Sequence, residues 1–91
     1  MINTICYIHN TPPLKNWKSR NGYESLLALG YKIIVLDISP IVNIIAYKNV
    51  TNDLLEDDNV DKLVCYSKQQ FYEYMKKIDE NFFHIFIKLL F

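Results

Sequence analysis

The amino-acid sequence predicts an α/β fold, because short apolar runs alternate along it with stretches of helical spacing. The runs are Thr4–His9, Lys32–Ile38, Lys62–Tyr66 and Phe82–Leu90. Strands that alternate with helices of roughly 10–15 residues form βαβ units, whose strands lie parallel. We therefore predict a three-layer α/β domain with a four-stranded parallel sheet in the spatial order 3-2-1-4. Right-handed crossovers place the first two predicted helices on one face and the third on the other.

Composition limits the class of protein. A chain of 91 residues suits a single domain, which we assign to residues 1–91. Hydrophobic residues make up 51% of the chain, which excludes a disordered chain that lacks apolar surface to bury. Ten basic residues balance ten acidic ones, so there is no overall attraction for nucleic acid. We predict no nucleic-acid partner.

Three sequence features bear on location and redox state. The longest apolar segment, Phe82–Phe91, is much shorter than the roughly 20 residues that span a bilayer, so we predict no transmembrane segment. The N-terminus enters a strand without the features of a secretory leader, which favours a cytoplasmic protein. Cys6 and Cys65 lie in predicted strands without C-x-x-C spacing, so we predict buried free thiols and no metal site. A disulfide would require the first and third strands to be neighbours.

The first predicted unit contains a proline-rich loop. The strand ends at His9–Pro13, because two successive prolines fix φ and restrict the residue before them. Leu14–Leu29 follows as a helix, and Gly30 suits the left-handed position just after it. The next strand, Tyr31–Ile38, carries an unbroken apolar run that is typical of a strand covered on both faces.

The second connection is less regular. Ser39 is a candidate N-cap, and Pro40 suits the first helical position. Ile41–Tyr47 fits a helix by the spacing of its isoleucines, although its β-branched density also suits a strand. Asn49–Asp61 is polar and acidic, which predicts a helix end and a surface loop.

The third predicted helix begins with a capping box. In this motif the Ser67 hydroxyl accepts from the Gln70 N–H, and the Gln70 side chain reaches back. Tyr66 and Phe71 occupy the two positions of a hydrophobic staple. The apolar stripe of this helix consists of Phe71, Tyr74, Met75 and Ile78.

The loop after the first strand argues against a dinucleotide cofactor. Such a site needs glycines there, so that the backbone can approach the pyrophosphate. The only glycines are Gly22 and Gly30, and no G-x-x-x-x-G-K-[ST] motif occurs. We predict no cofactor.

We expect a ligand at the carboxyl edge of the sheet. In the order 3-2-1-4 the switch point lies between the first and fourth strands, and the loop leaving the first strand lines it. His9 leads the candidates, because histidine can act as a base or donate a hydrogen bond; a structural loop role is the alternative. Asp37 stands where a ribose-binding acid would, or it contacts helix amides. The predicted ligand-binding set is His9, Asn10, Thr11, Asp37 and Ser39.

Three junctions carry a family resemblance. They are His9-Asn10-Thr11-Pro12-Pro13, Gly30-Tyr31 and Asp37-Ile38-Ser39-Pro40. Their order resembles the N-terminal Rossmann-like domain of GT-B type glycosyltransferases and of related bacterial surface-polysaccharide biosynthesis proteins. The resemblance implies a Rossmann-like fold on the acceptor side, with the nucleotide-sugar held chiefly by a C-terminal domain. It therefore implies an incomplete or non-catalytic domain, a fragment of a larger protein, with a sugar or nucleotide-sugar as its ligand.

Two other functions stay open. One is a small nucleotide- or sugar-phosphate-binding enzyme that uses His9 and the basic start of the first helix. The other is a pure protein-interaction module. The last strand also predicts a homo-oligomer through Phe82–Phe91, since a long apolar edge strand favours pairing with a second copy.

Overall fold

The structure is a computed structural model that describes residues 4–16, 22–49, 54–56, 59–81 and 85–90. Its elements in chain order are β1 (Thr4–His9), α1 (Tyr23–Ala28), β2 (Lys32–Asp37), α2 (Ser39–Val42), α3 (Ile44–Lys48), β3 (Val60–Val64), α4 (Lys68–Asn81) and β4 (Ile85–Leu90). Within these residues the strands form one parallel sheet, across which they follow one another as β3-β2-β1-β4.

Alternate side chains of the strands build one apolar cluster on each face of the sheet. The α1 face holds Ile5, Tyr7, Tyr23, Ile33, Val35, Leu55 and Val60. The α4 face holds Cys6, Ile8, Ile34, Leu36, Ile38, Cys65 and Ile78. The central strands β1 and β2 are covered on both faces, which explains their continuous apolar runs.

The predicted fold, a three-layer Rossmann-like domain with its core on a four-stranded sheet, is wrong in that core and in the position of its second helix. The described residues instead build their core on three parallel strands, β1, β2 and β3, with a few helices. The α1 face is covered by the short helix α1 together with Leu55. The predicted second helix does not join that face, because Ile41 packs against the cluster of the α4 face.

Asn43 breaks the helix that was predicted after β2. It separates α2 from α3 with φ −149° and ψ 64°, and its side chain accepts from the Ala46 N–H at 3.3 Å. A side chain that bonds to nearby backbone competes with helix continuation. The helix predicted over Ile41–Tyr47 is therefore broken in two, and the alternative of a strand there is wrong.

The first predicted helix, Leu14–Leu29, is too long at its start. Leu14 forms an isolated antiparallel bridge with Leu54, and the Leu55 N–H donates to the Pro13 carbonyl at 2.9 Å. The segment around Leu54 is thus tied to the proline loop, and Leu55 is buried where a polar surface loop was expected. Residues 17–21 of the predicted helix lie outside the described residues.

The end of α1 confirms the role of Gly30. Its φ is 89°, its N–H donates to the Leu27 carbonyl at 3.0 Å, and the Tyr31 N–H donates to the Leu26 carbonyl at 3.0 Å. These two bonds form a Schellman motif, which ends the helix and directs the chain into β2.

The start of α4 confirms the capping box in a slightly shifted form. The Gln70 N–H donates to Ser67 Oγ at 3.1 Å, as predicted. Gln70 Oε1 accepts from the Tyr66 N–H at 2.8 Å, one residue before the expected donor. Tyr66 is exposed, and its ring lies edge-on to Tyr47 rather than in a buried staple.

The last two strands differ from their predicted bounds. β3 begins and ends two residues before Lys62–Tyr66, so Cys65 follows the strand instead of lying in it. Cys6 and Cys65 are buried free thiols, as predicted. Burial raises the pKa of Cys6 to about 12 and that of Cys65 to about 11, which keeps both protonated. Residues 82–84 of the predicted last strand lie outside the described residues.

Candidate ligand site at the carboxyl edge

The ends of β1 and β2 bring His9 and Asp37 together. The two residues are Cα partners across the sheet. The Ile38 N–H donates to the His9 carbonyl at 2.9 Å, and the Cys65 N–H donates to the Asp37 carbonyl at 2.8 Å. These backbone bonds extend the parallel ladder past the strand ends. They therefore fix both residues at the carboxyl edge, where ligands bind in open α/β sheets.

The Asp37 carboxylate caps the turn that follows β2. Its Oδ1 accepts from the Ser39 N–H at 2.9 Å, and the residue is only 3% exposed. This bond satisfies one of the N–H groups that the start of a helix leaves without an intrahelical partner. Contact with helix amides, one of the two expected roles of Asp37, is thus present. Ser39 is the first helical residue and not the predicted N-cap.

The Ser39 hydroxyl lies beneath the edge. The residue is completely buried, and Oγ has no hydrogen-bond partner among the described residues. A buried hydroxyl prefers a partner, because burial removes its bonds to water. Ser39 therefore adds hydrogen-bonding capacity beside Asp37.

The His9 imidazole is uncharged at neutral pH. Burial lowers its pKa to about 4, and the nearby Asp37 charge offsets only part of that shift. A neutral imidazole has one nitrogen that donates and one that accepts. His9 can therefore bond to a hydroxyl, but it supplies no positive charge to a phosphate.

Only the loop after β1 brings predicted site residues to the surface. Asn10 is half-buried and Thr11 is exposed, whereas His9, Asp37 and Ser39 are buried. The predicted set thus divides into an accessible amide and hydroxyl in the loop and three buried polar residues.

Three residues near Asp37 were not predicted as part of the site. Burial is the main cause of the raised pKa of Cys65, and the Asp37 charge adds to it. The hydrogen bond to Tyr66 is the main cause of the raised pKa of Tyr47, and the Asp37 charge adds to that shift as well. The Tyr47 and Tyr66 hydroxyls lie 3.4 Å apart, and their rings meet edge-to-face with centroids at 6.0 Å. Cys65-Tyr66-Ser67 after β3 repeats the pattern of Asp37-Ile38-Ser39 at the end of β2, and this repeated strand-to-helix junction was the available signal.

Protonation of His9 should make stability depend on pH. The pKa of this imidazole is about 4 in the folded chain against 6.5 when unperturbed, so the unfolded state binds more protons between these values. The free energy of unfolding should therefore fall as pH drops from about 6.5 to 4, by about 3 kcal/mol from His9.

Urea unfolding across this pH range measures the effect. His9→Gln should remove most of the change in unfolding free energy with pH. His84→Gln, which replaces the other histidine, is the matched control and should retain it. An unchanged slope in His9→Gln would contradict a buried neutral imidazole.

Comparisons with known proteins give no relative. No protein-family model, no curated protein and no solved structure matches the chain. Over the described ranges, no group of three or more His, Cys, Asp or Glu side chains could hold a metal ion. None of the described helices is long and apolar enough to cross a membrane.

Proposed function

We propose that this domain binds a hydroxyl-rich ligand, a sugar, at the carboxyl edge of its sheet and carries out no chemistry on it. One observation carries the proposal: an uncharged imidazole and a carboxylate are paired across the sheet where β1 runs into a loop with an accessible amide and hydroxyl. Imidazole, carboxylate and amide groups can each bond to sugar hydroxyls as donors or acceptors.

The charge of the edge favours a sugar over a nucleotide. Asp37 offers only acceptors when ionised, and His9 is neutral at pH 7. Phosphate sites normally provide cations or rows of helix N–H groups. The N–H of Ser39 at the start of α2 already donates to Asp37. Of the groups described at this edge, a diphosphate therefore meets the negative Asp37 and gains no compensating charge from His9.

The sequence resemblance supports the same reading. The acceptor side of GT-B type glycosyltransferases handles a sugar, and the nucleotide is held elsewhere. We propose the same division for this chain, as the acceptor-side part of a surface-carbohydrate protein. Free thiols at Cys6 and Cys65 support a reducing compartment, so we place the protein in the cytoplasm.

Amide NMR of the ¹⁵N-labelled chain tests the proposal. Glucose, galactose and N-acetylglucosamine are titrated separately, with UDP as the nucleotide probe. We expect at least one sugar to shift the Asn10 and Thr11 amides, and UDP to leave them unmoved. Asn10→Ala should weaken the affinity for that sugar about fivefold, which is the effect of one lost hydrogen bond. Asn49→Ala, at an exposed position, should leave the affinity unchanged. Shifts by UDP at these amides, or no sugar shift there, would overturn the proposal.

We also propose that the chain forms a homodimer through its last strand. β4 pairs with β1 on one side and lies at the edge of the sheet, and Ile87 is 43% exposed. An edge strand with an exposed apolar side chain can pair with a second copy.

Ile87→Lys should convert the dimer to a monomer, because charges on an edge strand oppose edge-to-edge pairing. Light scattering over a range of micromolar concentrations measures the mass. Leu29→Lys, at an exposed position after α1, is the control and should leave the dimer intact. A monomer mass for the unmodified chain at every concentration would contradict the dimer.

A further inference from the structure

A second surface lies beside the start of α2 and is distinct from the proposed sugar site. It is a groove of about 220 Å³ between α2 and the first turns of α4. Its lining consists of Ile38, Ile41, Val42, Lys68, Phe71 and Tyr72. We call it the α2–α4 groove.

Both walls of the groove follow helical spacing. Lys68, Phe71 and Tyr72 lie at positions i, i+3 and i+4 of α4, and residues at this spacing share one face of a helix. Ile38, Ile41 and Val42 repeat the spacing on the opposite wall, where the Ile41 and Val42 N–H groups both donate to the Ile38 carbonyl. The groove is therefore built from two helical turns that present apolar side chains to each other.

Its rim is apolar and open to solvent. Val42 is 58% exposed and Tyr72 is 65% exposed, while Ile38 at the base is nearly buried. The exposed Val42 and Tyr72 side chains are therefore accessible to an apolar side chain of a partner.

Lys68 is the sole charge in this lining. Its side chain is exposed, and it takes part in no ion pair with the described residues. A cation beside an apolar groove is complementary to a ligand that carries one apolar group next to one carboxylate.

The volume decides what kind of ligand fits. Pockets for small-molecule ligands measure about 300–1,000 Å³, so 220 Å³ is too small for a nucleotide-sugar. An apolar cavity of about 150 Å³ holds one benzene, so the groove accepts one aromatic or branched aliphatic side chain. That size fits a single anchor residue of a peptide.

We propose that the α2–α4 groove binds a peptide segment of a partner protein, with one aromatic or large aliphatic side chain in the groove and a neighbouring Asp or Glu paired with Lys68. The segment is recognised by its anchor and by its charge. This interaction is independent of sugar binding at Asn10 and Thr11.

Selection from a phage-displayed peptide library on the full chain tests the proposal. The expected consensus has one aromatic or large aliphatic residue and an acidic residue close to it. A synthetic consensus peptide is then measured by fluorescence polarisation against the unmodified chain and its variants.

Lys68→Glu is the decisive variant, and it should fold because an acidic residue is favourable in the first turn of a helix. It should weaken the affinity for the consensus peptide about tenfold, which is in the range of a close charge pair at an interface. A peptide in which Lys replaces the acidic residue should bind this variant again. Lys76→Glu, an exposed site two turns along α4, should leave affinity within about twofold of the unmodified chain. Tyr72→Ala should also weaken binding.

Several results would overturn the proposal. They are a selection without a consensus, a consensus without an acidic residue, or equal effects of Lys68→Glu and Lys76→Glu. Binding of phosphatidylglycerol vesicles through Lys68, with no peptide binding, would assign the groove to a lipid surface instead. Sugar shifts at Asn10 and Thr11 should persist in Lys68→Glu, so failure of one proposal is distinguishable from failure of the other.

Discussion

Replacing Leu36 with alanine should lower the free energy of unfolding by about 3 kcal/mol. Leu36 lies on β2 between β1 and β3, it is fully buried, and its side chain packs in the cluster of the α4 face. Truncation removes apolar contacts and leaves a cavity that the neighbouring strands cannot close. Urea unfolding followed by circular dichroism measures the change.

Leu29→Ala is the matched control for this prediction. Leu29 is 75% exposed at the end of α1, so the same chemical change should alter stability by less than about 0.5 kcal/mol. Equal losses in the two variants would contradict the assignment of Leu36 to the core.

Asp37→Ala should lower the free energy of unfolding by about 2 kcal/mol. The substitution leaves the Ser39 N–H at the start of α2 without the carboxylate oxygen that lies 2.9 Å away. Asp37→Asn should lower the free energy of unfolding by less than about 1 kcal/mol, because the Asn amide oxygen can still accept this hydrogen bond. Urea unfolding at neutral pH compares the variants.

The Asp37 substitutions also have an electrostatic readout. The Asp37 charge raises the pKa of His9, so Asp37→Asn should move that pKa below about 4, as followed by NMR of the imidazole. Asp61→Asn is the control, because Asp61 pairs with Lys32 on the surface and should change stability by less than about 1 kcal/mol. An Asp37→Ala variant as stable as Asp61→Asn would contradict the capping role of Asp37.

Local sequence signals predicted much of the strand and helix placement. β1 has the predicted bounds, β2 ends one residue early, and the glycine that ends α1 and the box that begins α4 are both present. These features depend on a few adjacent residues, and their chemistry is readable without the rest of the chain.

The structure of the segments that connect the strands could not be predicted in the same way. Asn43 breaks the helix after β2 through its own side chain, although the surrounding isoleucines have helical spacing. Leu55 covers the sheet although it lies in an acidic stretch, because the Leu14–Leu54 bridge draws that stretch onto the α1 face. The Asn43 bond is local but competes with the helical spacing around it, whereas the burial of Leu55 depends on a contact between distant parts of the sequence.

The sequence predicted that His9 and Asp37 lie at the same edge of the sheet, but not that both are buried. Strand ends and register bring His9 beside Asp37, which follows from parallel topology. Burial of both side chains depends on tertiary packing around them, and no short sequence pattern encodes this packing. Tyr47 was missed for the same reason, since only the tertiary structure brings it to Tyr66.

Saturation-transfer NMR with a mixture of free glucose and UDP tests the central claim most directly. Because the proposed edge binds a sugar and repels a diphosphate, saturation from the protein should reach the glucose ring protons and not the uridine protons. The transfer should disappear when Asn10 and Thr11 are both replaced by alanine, and persist in Lys68→Glu. Strongest saturation on the uridine, or transfer that survives the loss of Asn10 and Thr11, would contradict a sugar site at the carboxyl edge.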